Sequence, residues 1–331
     1  MTVFTVDPWD PSYGQAADER NMLDDSTAEL DLDLELPAAR WRPLDPAARL
    51  TPPGAVLFLD GVRRIDARVW VHGNGQPAAG IAASLAAGVV ACDGSARVVD
   101  VTVERGMFTH ARGAGDIATR AAVYPARPAG GPGFDQLSLA MQQRLSDIEA
   151  ELALAVRGSG RSADDLLVVD GPLRGNVRSR GGPDGSSPRG QHCLTVGYIK
   201  THHASYLPDA QAAVVGGLRP GQRTPAFAMG TTWRRTSWYL RLPSGTVGHG
   251  GGAPWAGVVR IECSPDLAPE DVTELADLTA RVLPPLASAP HKDPRAPQNL
   301  VPIGGLEREL RRRLGDQQLL YRALRAAAMS A

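Results

Sequence analysis

The sequence predicts an α/β fold: a mixed sheet flanked by helices, with an N-terminal extension and C-terminal helices. Three observations carry this. Leu166–Val169 is a short unbroken apolar run that ends in Asp170, Gly171 and Pro172. Such a run, stopped by turn residues, reads as a strand buried on both faces. Ala55–Leu59 has the same shape and ends in Asp60-Gly61. Between the two, Asp135–Val156 places Leu145, Ile148, Leu152 and Ala155 at helical spacing, which marks one buried face. Each strand delivers a carboxylate to its C-terminal edge, where functional groups gather in α/β sheets.

The chain has 331 residues, enough for one large domain or two ordinary ones, and 43% hydrophobic content is sufficient for a sizeable core. With 35 basic and 36 acidic residues, the overall field attracts no polyanion, so a nucleic-acid partner needs a local basic patch. Cys92, Cys193 and Cys263 are far apart and form no C-x-x-C pair, so neither a zinc site nor a disulfide framework is indicated. They read as small apolar side chains. No apolar run approaches the ~20 residues of a membrane span. The first residues, MTVFTVDPWDPSYG, lack the basic and apolar regions of a signal peptide, so a cytoplasmic location is expected.

In order along the chain, residues 1–52 are acidic and proline-rich. Asp24, Asp25, Glu29, Asp31, Asp33 and Glu35 form a tract that reads either as an arm on another subunit or partner or as a solvated extension. A core follows over residues 53–290, and a C-terminal helical segment over 291–331. Ala55–Asp60 is the first strand, Gly61-Val62 a turn, and Arg64–His72 an alternating strand. In it Ile65, Ala67, Val69 and Val71 face one way and Asp66, Arg68 and His72 the other. Ala79–Cys92 reads as a strand or short helix, Ala96–Glu104 as a strand and 111–133 as loop. The Asp135–Val156 helix and the Asp170 strand come next. Arg174–Gly190 is a loop with Arg174, Arg178, Arg180 and Arg189, able either to grip phosphates or simply to stay solvated. Cys193–Ile199 delivers Lys200. Strands are expected at Ala226–Met229, Trp233–Leu242 and Trp255–Cys263, helices at Pro208–Gly217 and Pro269–Leu283, and a basic helix pair or one broken helix at Leu306–Ala328.

The acidic residues fall into this order in a telling way. Asp60 ends the first strand, Glu149 rides on the helix at the edge of its buried face, and Asp170 ends the next buried strand. Asp60 and Asp170 are expected to meet across adjacent strands. Oxygen ligands without histidine or thiolate favour Mg²⁺ or Mn²⁺. Two such ions about 4 Å apart can act on a phosphodiester. The element order itself is similar to the ribonuclease H-like fold.

FLDGVRRI around Asp60, VVDGPLRG around Asp170 and VGYIKTH around Lys200 resemble the motifs of NurA nucleases. The resemblance spans roughly residues 53–310, and WAGVVRIEC, with Arg260 and Glu262, fits the family's late strand more loosely. It implies manganese-dependent DNA cleavage, both 5′-to-3′ exonuclease and single-strand endonuclease. It also implies a homodimer docked on a HerA-type hexameric translocase ATPase, in end processing, repair or defence against foreign DNA. By resemblance Asp60 and Asp170 are metal ligands, as is Glu149, with Glu151 the runner-up. Lys200 is a phosphate-facing cation. Arg64, Arg174, Arg178 and Arg180 are candidate DNA contacts. The family's tyrosine and histidine before its last helix are missing. The stretch here reads PQNLVPIGGLERE, so His291 or Glu307 substitutes, or fewer ligands are used. That departure motivates the alternative of a DNA-binding or adaptor subunit whose chemistry is impaired.

Overall fold

Long strands rich in valine, alanine and isoleucine make a ten-stranded mixed sheet. The computed structural model describes residues 29–72, 77–158, 164–173, 194–201, 206–230, 234–243 and 255–329. The strands are β1 (Glu29–Asp31), β2 (Val56–Val71), β3 (Ala78–Cys92), β4 (Ala96–Thr109), the short β5 (Ile117–Ala118), β6 (Val123–Tyr124) and β7 (Ala126–Pro128), then β8 (Leu166–Asp170), β9 (Thr195–Ile199), β10 (Phe227–Gly230), β11 (Arg234–Arg241) and β12 (Val258–Cys263). The helices are α1 (Phe134–Gly158), α2 (Asp209–Gly216), α3 (Pro269–Val282), α4 (Val301–Arg313) and α5 (Gln317–Ala328). The large sheet runs β1-β10-β11-β12-β9-β8-β2-β3-β4-β7, with β5 and β6 paired separately. Contacts divide the chain into two compact units, and the division falls inside β2 and α4.

In the first unit, β1, β10, β11, β12 and β9 pair antiparallel in that order, and β9 pairs parallel with β8. Leu166–Val169 is wholly buried, as expected of a strand covered on both faces. Trp41, Phe227, Tyr239, Val215 and Val258 form an aromatic-aliphatic core. The acidic arm is neither solvated nor lent to another chain at Glu35. The Glu35 carboxylate accepts two bonds from Arg223, each 2.8 Å, and one from the Ala226 N–H. Arg223 donates through Nε to Asp277 of α3 at 2.7 Å, and Asp277 in turn accepts from the Ala47 N–H. The arm therefore returns to its own unit. A fully buried guanidinium is tolerable only with such partners. Asp24 and Asp25 lie outside the described residues.

In the second unit, three long strands lie side by side. The carbonyl of Phe108 closes on Gly80 and that of Asp100 on Gly88, so β3 and β4 run in opposite directions. β3 is built almost entirely of small residues because both its faces are covered. A Cβ on Gly88 would come within 3.0 Å of Leu310 on α4. The expected turn at Gly61-Val62 does not occur, and Asp60 is not strand-terminal: β2 continues without a break from Val56 to Val71. Gly61 serves close approach instead, since a Cβ there would fall against Glu149 Oε1 and 2.9 Å from Leu145 of α1. On α1, Val156 completes the buried face with Leu145, Ile148 and Leu152, while Ala155 is exposed. Residues 111–133 contain three short strands rather than loop alone. The C-terminal pair begins at Val301, because Gly304 and Gly305 continue the helix.

Asp66, expected on the outward face, is buried. It accepts bonds from Ser84 Oγ (2.5 Å), Tyr124 Oη (3.0 Å) and Arg64 Nε (2.8 Å). Arg64 also donates to the carbonyl of Gly315 at 2.8 Å, at the C-terminal end of α4, where carbonyls lack helical partners. Gly315 takes φ +82°, the left-handed cap conformation. Asp316 then caps α5 through the Leu319 N–H.

Burial, followed by the charge of Asp66, pushes the Tyr124 hydroxyl up to about 12. A raised folded-state value favours the neutral phenol. Its contribution is therefore complete below the ordinary value near 10 and is lost as pH rises through about 12. Tyr124→Phe is expected to cost about 1–3 kcal/mol at neutral pH by removing one donor from Asp66. It should also blunt the alkaline loss of stability. Denaturant melts of both proteins from neutral to strongly alkaline pH check both effects.

Candidate metal centre

β8 ends at Asp170 because Gly171 follows with φ +100°, a conformation that favours glycine. The Gly171 N–H donates to the Tyr198 carbonyl at 2.8 Å and the Tyr198 N–H returns a bond to Gly171 at 3.1 Å. This fixes the strand end against β9. The approach requires Gly197, where a Cβ would stand 2.8 Å from the Gly171 carbonyl. Buried Glu262 on β12 accepts from the Leu173 N–H at 2.7 Å and pins the next turn of chain. Tyr198 is wholly buried and donates to the Gln298 carbonyl at 2.6 Å. Burial and the charge of Asp170 raise its hydroxyl well above the ordinary value.

Asp60 is buried within β2, and the Gly61 N–H donates to its Oδ1 at 2.7 Å. β2 and β8 are neighbours in the sheet. Asp60, Asp170 and Glu307 each offer a carboxylate oxygen, and these oxygens lie within 4.8 Å of one another. Glu307 sits on the buried face of α4, on the stripe of Ile303, Leu310 and Leu314. Of the two candidates left open for the missing histidine, Glu307 joins the cluster, whereas His291 is exposed. Glu149 stands outside this trio, half-buried against Gly61. Glu151 is exposed and pairs with Arg144 at 2.9 Å.

Lys200 follows β9 and is largely buried. Its Nζ donates to Asp170 Oδ2 at 2.7 Å and to Asn299 Oδ1 at 3.1 Å. Asn299, fully buried, donates through Nδ2 to Asp293 Oδ2 at 2.6 Å. Burial pushes the Asp293 carboxyl up, but the Asn299 amide, the Arg295 N–H and the Arg295 charge together hold it below its usual value. Arg64 donates to Asp66 and to the carbonyls at the end of α4, so its guanidinium is engaged within the fold. Arg174, Arg178 and Arg180 lie outside the described residues, as do Cys193, His202 and His203. Cys263 is buried, and desolvation, with the Glu262 charge, pushes its thiol up to about 12, so it is no ready ligand.

The donor set fits a hard divalent cation. Carboxylate oxygens about 2.0–2.6 Å from one ion lie no more than about 5 Å apart, as these three do. Asp170 Oδ1 is buried and accepts no hydrogen bond, although its partner oxygen takes Lys200. A buried carboxylate oxygen without a donor requires explanation, and a cation supplies one.

A carboxylate on the buried stripe of an amphipathic helix is a signal for Glu307 that pattern reading can find. Asn299 and Asp293 carry no comparable signal, because Asn299 lies 99 residues from Lys200 along the chain. No protein-family model matches the chain, and no curated protein matches it at a significant level.

Gly61→Ala should force Leu145 and Glu149 to shift and cost about 1–3 kcal/mol by overpacking. Thermal melts measure this, and an unchanged midpoint would show that α1 does not depend on the close approach.

Proposed function

We propose that the protein is a divalent-metal-dependent deoxyribonuclease. The observation that carries the reading is the trio of carboxylates, Asp60 and Glu307 buried and Asp170 half-buried, with oxygens within 4.8 Å. The motif resemblance around Asp60, Asp170 and Lys200 supplies the substrate. Asp60, Asp170 and Glu307 would hold Mn²⁺ or Mg²⁺, and Glu149, against the neighbouring Gly61, supports the strand that carries Asp60. When bound, such ions supply Lewis-acid stabilisation to a phosphodiester under hydrolysis. Lys200 has three N–H donors, two of them engaged by Asp170 and Asn299; the third is available to a phosphate oxygen. Its charge also offsets that of the phosphate as it enters an acidic site.

On this reading the partners are DNA and a HerA-like hexameric ATPase, and the working form is a homodimer, with exonuclease and single-strand endonuclease activities in repair or defence. These come from the resemblance. No described helix is long and apolar enough to cross a membrane.

One observation favours the rival reading of an impaired DNA-binding or adaptor subunit: the Lys200 ammonium already neutralises one oxygen of Asp170. Incubation of the protein, alone and with its translocase, with single- and double-stranded DNA and Mn²⁺ separates the two. Cleavage is expected, reduced at least a hundredfold in Asp60→Asn and Asp170→Asn while the circular-dichroism spectrum is retained. Binding without cleavage in every combination would favour the adaptor.

A further inference from the structure

The Lys200 ammonium is a potential competitor for the site it borders. It carries a full positive charge at 2.7 Å from Asp170 Oδ2, on a flexible four-carbon stem. An ammonium so placed can slide across a carboxylate and engage both oxygens. In this structure it does not: Asp170 Oδ1 accepts no hydrogen bond. The second acceptor on Nζ is Asn299 Oδ1, which draws the ammonium toward the Oδ2 side.

The orientation of the Asn299 amide is fixed by its neighbours. Lysine can only donate and an ionised aspartate can only accept. Lys200 on one side and Asp293 on the other therefore leave one arrangement, with Oδ1 toward the ammonium and Nδ2 toward the carboxylate. The backbone is held as firmly. The Asn299 N–H donates to the Arg295 carbonyl at 2.9 Å, and its carbonyl accepts from the Ser288 N–H at 3.1 Å and from the Ser288 hydroxyl. Asp293 is steadied through Oδ1 by the Arg295 N–H at 2.8 Å.

We infer that Asn299, oriented by Asp293, is a positioning residue that holds the Lys200 ammonium on one oxygen of Asp170 and so keeps the other open to a divalent cation. The inference rests on the metal-site reading above and extends it to residues that touch neither the cation nor the substrate. Partners that orient a ligand from behind commonly change metal affinity by about 10–100-fold when removed.

The test is a double-mutant cycle on Mn²⁺ affinity, measured by isothermal titration calorimetry without DNA. Asn299→Ala should weaken Mn²⁺ binding about tenfold. Lys200→Met, which removes the competing charge, should bind at least as tightly as wild type. In the Lys200→Met background, Asn299→Ala should have no further effect. Asp293→Asn, a nearly isosteric change, should act in the same direction as Asn299→Ala, and again only when Lys200 is present. It also serves as the second variant if Asn299→Ala fails to fold. Equal losses in both backgrounds, or no loss in either, would overturn the positioning role while the metal site stands. Wild-type protein that binds no Mn²⁺ would overturn the metal site and the inference with it.

Discussion

Three carboxylates with oxygens within 4.8 Å of one another, two of them buried and one half-buried, repel one another where they are ionised. The surroundings answer that repulsion piecemeal. The Gly61 N–H donates to Asp60, Lys200 pairs with Asp170, and Glu307 has an ion-pair contact with Arg311 at 3.7 Å. One oxygen of Asp170 is left without a donor. A divalent cation between these oxygens would offset their charge, and the proposed chemistry builds on that.

The backbone reaches these positions only because certain side chains are missing. Gly61 lets α1 press on β2, Gly88 lets α4 press on β3, and Gly197 lets the chain after Asp170 fold back over β9. In each case a methyl group would stand at 3.0 Å or less from a neighbouring atom. The small-residue content of β3 has the same origin. It is not a weak strand but one crowded from both sides.

Charge in this chain performs two kinds of work. Arg223 with Glu35 and Asp277, and Arg64 with Asp66 and the end of α4, are fully partnered and hold elements together. Asp170 with Lys200 is only half-partnered and stands beside other acids. The difference lies in hydrogen-bond completeness, not in residue type. Arg64 lies four residues from Asp60 and still points its donors into the fold.

Much was determined by the sequence alone. The apolar runs at β2 and β8, the period of α1 and the carboxylates at Asp60 and Asp170 are local patterns, and local patterns survive folding. For the third acid the sequence pointed to Glu149 or Glu151, and it offered Glu307 only in place of a missing histidine, whereas Glu307 is the one in the cluster. Tertiary structure decided the rest. A Gly-Val pair after a strand residue reads as a turn until a helix packs on the glycine, and Asp66 looks outward until Tyr124 and Ser84 arrive from other strands. Glu307 joins Asp60 and Asp170, and Asn299 joins Lys200, from distant parts of the chain. Close approach between distant segments leaves no periodicity behind, so the pairing of Asn299 with Lys200 could not be read before the strands and helices were assembled.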